Sequence, residues 1–143
     1  MHMRRLVTLA LAAFSLAACG GSDKPAGPSA SIAGTYTLQT VNGRSLPSTI
    51  FQVGNDKLEV TGGSVTMNEN ETFSGVTALR ETVEGVVDDY SASCTGTYTR
   101  TGSTVAFAEA ESDDCGGNYS GTWTSGNTLT VTFAPGIVAV FKK

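Results

Sequence analysis

The strongest constraint on the fold is a segment in which one hairpin pattern occurs twice, over residues 96–107 and 121–133. Each copy opens with a glycine, a threonine, an aromatic residue and a second threonine, and a shorter copy of this opening begins at Gly34. Because side chains alternate between the two faces of a strand, the glycine and the aromatic residue share one face and the threonines lie on the other. The pattern therefore predicts antiparallel hairpins with one apolar face.

The first copy predicts a register for its two strands. A two-residue turn at Thr101-Gly102 would place Tyr98 opposite Val105 and Gly96 opposite Phe107. Glycine suits this turn because one of its positions needs a positive φ. The same register would place Cys94, two residues before this hairpin pattern, opposite Glu109.

The second copy predicts a slightly longer connection of three residues, Ser125-Gly126-Asn127. It would place Trp123 opposite Leu129 and Gly121 opposite Val131. In both hairpins apolar residues then face apolar residues, and a slip by one residue would turn all of them towards solvent.

The remainder of the chain indicates further strands. Threonine and valine are abundant, and glycine, asparagine and aspartate recur at short intervals. The fold class that we predict is all-β: an antiparallel up-and-down meander that forms a small barrel of about eight strands, with a β-sandwich as the alternative. A short helix over residues 80–87 is a local alternative, because Leu79, Val83 and Val86 have helical spacing. The predicted strands span residues 33–42, 48–54, 57–61, 64–69, 72–83, 86–99, 103–111, 117–124, 128–133 and 137–142.

The N-terminal residues 1–18 have the layout of a secretory signal, with two arginines followed by an apolar run. The run is too short to span a bilayer as a permanent helix. Leu16-Ala17-Ala18-Cys19 resembles the lipobox of bacterial lipoproteins at every position. The resemblance implies cleavage before Cys19, which would carry a diacylglycerol and an acyl chain such as palmitate. An ordinary signal peptide with a chance cysteine is the alternative.

Residues 19–31 are predicted to be the lipidated cysteine and a flexible tether, since they are rich in Gly, Ser, Pro and Ala and lack periodicity. Residues 32–143 then form one folded domain. Gly20 stands where an aspartate would resemble the inner-membrane retention signal. The expected location is the cell envelope, lipid-anchored, with the outer membrane favoured and the domain facing the periplasm or the surface.

A disulfide between Cys94 and Cys115 is expected in an exported protein whose third cysteine is lipidated. In the predicted register Cys94 lies opposite Glu109, a few residues before the loop that contains Cys115. Two unpaired buried thiols are the alternative.

The residue types that the chain lacks after cleavage, and its net charge, argue against several classes of function. The only histidine, His2, leaves with the signal, so histidine-dependent catalysis and histidine metal sites are not expected, and we predict no enzyme and no cofactor. Seven basic and thirteen acidic side chains remain after cleavage, a net charge of −6, which argues against a nucleic-acid partner. No protein partner is indicated.

An acidic group around Cys115 is the one candidate for metal binding. Carboxylates at alternate positions before a turn are calcium ligands in other contexts. The favoured interpretation is a solvated acidic loop that binds no metal and keeps strand edges soluble. The group consists of Glu109, Glu111, Asp113 and Asp114.

The segment 34–43 with Leu46-Pro47 resembles the start of lipocalin-like bacterial lipoproteins, in which a G-x-W or G-x-Y strand leads to an "NG…LP" connection. The resemblance implies a small meander barrel anchored at the membrane, which holds a small apolar or amphipathic ligand. A structural or interaction lipoprotein with a filled barrel is the alternative function. The expected lining of a ligand site is Tyr36, Tyr98, Val105, Phe107, Trp123, Leu129 and Val131.

Overall fold

A computed structural model describes residues 30–110, 117–133 and 136–143, and this part of the chain contains ten β-strands. Neighbouring strands pair antiparallel throughout. The strands are β1 Gly34–Val41, β2 Arg44–Ser45, β3 Ser48–Val53, β4 Asp56–Met67, β5 Thr72–Val83, β6 Val86–Thr101, β7 Thr104–Glu109, β8 Tyr119–Thr124, β9 Thr128–Phe133 and β10 Ile137–Lys142.

Strand β1 closes the sheet into a barrel, because its two halves pair with different neighbours. Residues 34–37 pair with β4, and residues 37–41 pair with β10 across a bulge at Gln39. The strands from β4 to β10 follow one another in chain order around the ring. The result is a closed antiparallel barrel of eight strands, so the predicted meander barrel is confirmed and the sandwich alternative is wrong.

The second predicted hairpin register is confirmed, and the first is wrong by two residues. Trp123 lies opposite Leu129 as predicted. In the first hairpin the turn is at Gly102-Ser103, so Tyr98 lies opposite Phe107 and Gly96 opposite Glu109. A shift of two leaves every side chain on its predicted face, and the apolar alternation therefore could not detect it. The prediction that Cys94 lies opposite Glu109 is therefore wrong, because Glu109 pairs with Gly96; on its other side, Cys94 lies opposite Gly75 of β5.

Two other local predictions differ from the structure. The predicted break at Gly62-Gly63 is absent, because β4 continues through these residues and accommodates Thr61 as a bulge. The helical alternative for residues 80–87 is wrong, since Glu84 and Gly85 form the turn of the β5–β6 hairpin with positive φ angles of 51° and 83°.

The two ends of the barrel differ in how they are filled. We call the closed end the one that carries the turns at residues 68–71, 102–103 and 125–127, and the open end the one that carries the turns at 42–43, 54–55 and 84–85. At the open end β3, β4, β5 and β6 extend beyond the pairing of β6 with β7, which begins only at Gly96. We call this extension, residues 48–60 and 79–90, the flap.

Candidate functional site

The closed end is packed by aromatic side chains joined by hydrogen bonds. Tyr36 is completely buried, and its hydroxyl donates to the Ile32 carbonyl at 2.7 Å and accepts from Trp123 Nε1 at 2.8 Å. The guanidinium of Arg100 lies 4.3 Å from the centre of the Trp123 ring, where a cation–π interaction is favourable. Lys143 Nζ donates to the Ala33 carbonyl beside this cluster.

Burial changes the chemistry of the tyrosines in this cluster. Desolvation raises the pKa of Tyr36, and the Trp123 hydrogen bond and the nearby Arg100 charge offset part of the rise. Desolvation also raises the pKa of Tyr98, whose hydroxyl donates to the Asn68 carbonyl at 2.6 Å. Both phenols are therefore neutral hydrogen-bonding groups that hold the closed end together.

A cavity of about 250 Å³ occupies the interior towards the open end. Its wall is formed almost entirely by apolar or small side chains from the described strands. Glycine and alanine at Gly75, Ala92 and Ala139 leave room where the closed end has aromatic rings. The remaining lining residues include Leu38, Val41, Ile50, Val60, Val65, Leu79, Val131, Ile137 and Phe141.

The seven residues predicted to line a ligand site divide between these two regions. Phe107 and Val131 line the cavity. The other five are buried side chains of the closed end, with at most 5% of their surface exposed: Tyr36, Tyr98, Val105, Trp123 and Leu129.

Four aromatic rings form one side of the cavity. The rings of Phe107 and Tyr119 stack with their centres 5.0 Å apart, and Tyr119 is 4.7 Å from Phe133. Phe73 meets Phe107 edge-on at 5.2 Å. All four line the cavity. Tyr119 and Phe133 were missed in the sequence, although the alternation that places Trp123 and Leu129 inside would have reached both.

A carboxylate lies beside this aromatic group at the open end. Glu109 occupies the inward-facing position of β7 beyond Phe107, and its Oε2 accepts from the Gly117 amide at 2.6 Å. Its Oε1 is buried and has no hydrogen-bond partner among the described residues. Desolvation by burial raises the pKa of the Tyr119 phenol strongly, and the negative charge of Glu109 and a side-chain hydrogen bond to this carboxylate raise the pKa further.

The wall of the cavity continues onto the inner face of the flap. Ile50, Val60 and Leu79 line the cavity, and beyond them the same face carries Leu58 and Phe51 on β4 and β3 but the opposed acidic residues Glu81 and Asp88 on β5 and β6. Phe51 is 60% exposed and Val86 is 70% exposed. The apolar surface therefore continues from the cavity along β3 and β4, whereas on β5 and β6 it is interrupted by the two carboxylates.

The predicted acidic group is only partly within the described residues. Glu109 is the member just described, whereas Glu111, Asp113 and Asp114 lie outside them. Within the ranges that the structure describes, no group of three or more His, Cys, Asp or Glu side chains is placed to hold a metal ion.

The predicted covalent sites also lie mainly outside this part of the chain. Cys19 and Cys115 are both outside the described residues. Cys94 is half-buried on β6 and contributes to the cavity wall. The Cys94–Cys115 disulfide and the lipidation of Cys19 therefore stay predictions.

Comparison with known proteins gives no family assignment: no family model matches the chain, and no curated protein matches it. Within residues 30–110, 117–133 and 136–143, no helix has the length and hydropathy needed to cross a bilayer.

Proposed function

We propose that this protein is a lipid-anchored lipoprotein of the cell envelope whose lipocalin-like barrel binds a small apolar or amphipathic molecule. The observation that carries the proposal is the cavity of about 250 Å³ in the open half of the barrel. Ligand sites are concave and mostly apolar, with a small number of polar groups at defined positions. The aromatic and aliphatic wall, in which Tyr119, Ser64 and Thr77 are the few hydroxyl-bearing side chains, has this composition.

The volume limits the size of the ligand. An apolar cavity of about 150 Å³ can take up benzene, and typical sites for drug-sized molecules have about 300–1,000 Å³. A cavity of about 250 Å³ accommodates a molecule larger than benzene, or the apolar part of a longer amphiphile. The apolar side chains on the β3 and β4 part of the flap, such as the exposed Phe51, would support the remainder of such a molecule.

A direct test fills the cavity from a position that tolerates a side chain. A Cβ at Gly75 would come no closer than 3.7 Å to its nearest neighbour, the Ser64 carbonyl oxygen, and Gly75 lines the cavity. Gly75→Leu should therefore occupy part of the cavity. Gly62→Leu is the matched control, since Gly62 pairs with Ala78 on the opposite face and a Cβ there is 3.9 Å from the Ala78 Cβ.

The measurement is a titration with the uncharged fluorescent dye N-phenyl-1-naphthylamine. The unmodified protein and Gly62→Leu should show saturable binding, and Gly75→Leu should bind about tenfold more weakly or not at all. Far-UV circular dichroism establishes that each variant is folded. If the unmodified protein shows no saturable binding of the dye, and 1-octanol displaces no bound dye, the alternative of a structural or interaction lipoprotein with no ligand is preferred.

Anchoring has its own experiment. The proposal rests on the lipobox around Cys19 and on the principle that several acyl chains hold a protein at a membrane where one is marginal. Cys19→Ala should move the protein from the membrane fraction to the soluble fraction while the domain from residue 32 onwards remains folded. Retention of this variant in the membrane fraction would contradict the lipoprotein assignment and the envelope location.

A further inference from the structure

Thr77 places a hydroxyl in the cavity wall that the described residues leave without a partner. It is on the same face of β5 as Phe73 and Leu79, which both line the cavity, so its side chain faces the interior. The hydroxyl forms no hydrogen bond within residues 30–110, 117–133 and 136–143, and its oxygen is open to water. A ligand that displaces this water must therefore replace its hydrogen bond.

The side chains around Thr77 are small. Its partners in the sheet are Gly63 on β4 and Ala92 on β6. Gly75 precedes it on the same face of β5. A Cβ at Gly63 would lie 3.5 Å from both Thr77 Cα and Leu38 Cδ2, so the missing side chain leaves space beside Thr77. The hydroxyl therefore lies in a recess of the wall that a bound molecule can reach.

The two other hydroxyl-bearing residues that line the cavity are less available to a ligand. The Tyr119 hydroxyl interacts with the Glu109 carboxylate through a side-chain hydrogen bond. Ser64 directly precedes the buried Val65 on β4, so alternation places its side chain on the outer face. Among the described residues, Thr77 is therefore the hydroxyl that a ligand in the cavity can use.

The cavity offers no compensation for a charged ligand. None of the described residues that line it carries a charged side chain. The opposed carboxylates of Glu81 and Asp88 lie further out on the flap, beyond Leu79. A charged group taken into such a cavity would lose its hydration without gaining an opposite charge, which is costly. A hydroxyl or carbonyl group loses less hydration, and a hydrogen bond to Thr77 offsets that loss.

We propose that the molecule held in the barrel is uncharged and carries one hydroxyl or carbonyl group, which forms a hydrogen bond with the Thr77 hydroxyl. This inference rests on the proposed function, because it names the chemical class of the ligand for the same site. The rest of the ligand is hydrocarbon and contacts the aromatic and aliphatic wall. Thr77 thus determines specificity, while the burial of apolar surface supplies most of the affinity.

The first test compares ligands with a common phenylpropyl body: 3-phenyl-1-propanol, 3-phenylpropylammonium and 3-phenylpropanoate. Each is measured at pH 7 by its displacement of N-phenyl-1-naphthylamine. The alcohol should bind at least about tenfold more tightly than either ion, because only the ions lose the hydration of a charge. An ion that binds as tightly as the alcohol would overturn the inference and leave the proposed function supported. If none of the three displaces bound dye, the inference is likewise overturned, whereas only the absence of saturable dye binding would overturn both.

The second test isolates the Thr77 hydroxyl with butylbenzene, which has a methyl group where 3-phenyl-1-propanol has its hydroxyl. Thr77→Val keeps the shape of the side chain and removes the hydroxyl. It should weaken the binding of the alcohol about tenfold, because the ligand's hydroxyl is left without a partner. Butylbenzene should bind Thr77→Val at least as tightly as it binds the unmodified protein. Equal effects on both ligands, or no effect on either, would overturn the assignment of the polar group to Thr77.

Two further variants serve as controls. Thr77→Ser retains the hydroxyl and should bind the alcohol within about threefold of the unmodified protein. Thr122→Val removes a hydroxyl from the exposed outer face of β8 and should change neither affinity by more than about twofold. A loss of alcohol binding in Thr77→Ser as large as that in Thr77→Val would show that the shape of the side chain matters and would contradict the hydrogen bond.

Discussion

The hydrogen bonds of Tyr36 make a stringent prediction about what holds the closed end together. Tyr36→Phe keeps the ring and deletes only the hydroxyl. The ring is completely buried, so no water replaces the lost oxygen. The Trp123 indole N–H and the Ile32 carbonyl would both lose a partner at once.

The magnitude follows from the number of groups left unsatisfied. Each buried polar group without a partner costs about 1–3 kcal/mol. Two such groups predict a loss of about 2–6 kcal/mol in the free energy of unfolding. We expect the lower part of this range, about 2–4 kcal/mol, because Ile32 lies at the start of the described domain and can turn its carbonyl towards solvent. The loss is a large part of the roughly 5–15 kcal/mol typical of a single domain.

The assay is equilibrium unfolding in urea, followed by far-UV circular dichroism. With a slope of about 1–2 kcal/mol per molar urea, the midpoint should fall by about 1–4 M. Tyr90→Phe is the control, because Tyr90 is 41% exposed and the structure shows no hydrogen bond from its hydroxyl within the described residues. A Tyr36→Phe midpoint within 0.5 M of the control, on the order of the noise in such extrapolations, would refute the argument.

Three further predictions concern the backbone, the phenols and the cysteines. Gly121→Ala should destabilise the domain by about 2 kcal/mol or more in urea unfolding, because its Cβ would lie 2.5 Å from a β9 carbonyl oxygen, whereas Gly62→Ala should be nearly neutral; equal effects would contradict this. The pKa of Tyr119 is raised on folding, so the phenol of the unfolded chain releases its proton first as the pH passes about 10. The urea midpoint should therefore fall above that pH, and less steeply in Tyr119→Phe, whereas an unchanged midpoint would contradict this prediction. Reduction of the predicted Cys94–Cys115 disulfide should lower stability by about 2–4 kcal/mol, and identical melting with and without reductant would argue for unpaired thiols.

The glycine-and-aromatic pattern shows how much of the packing can be predicted from the alternation of side chains along a strand. The aromatic residues and the glycines share the inner face as predicted, and Phe73 covers Gly96, where a Cβ would lie 2.8 Å from its ring. The atom nearest to this Cβ is nevertheless a backbone atom, the Ala108 carbonyl oxygen, and at Gly121 all the nearest atoms belong to the backbone of β9. The alternation could predict that these positions face inward, but the identity of the covering atoms depends on the curvature of the closed barrel.

The ligand site shows where prediction from alternation ends. Periodicity assigns a side chain to the interior and carries no information on its height along the barrel axis. Trp123 and Phe107 are both inward-facing, yet one packs the closed end and the other lines the cavity. The position of the cavity follows from the tilt and register of eight strands together.

The sequence by itself determined the class of fold, the direction of each hairpin and the face on which each side chain lies, because these depend on a period of two within single strands. Only the tertiary structure decided the register of the first hairpin, the closure of β1 onto both β4 and β10, and the juxtaposition of Glu109 with Tyr119. Closure depends on pairing between residues that are distant in the chain. Shifts of two residues leave the local hydrophobic pattern unchanged, so only the packing of the complete barrel distinguishes them.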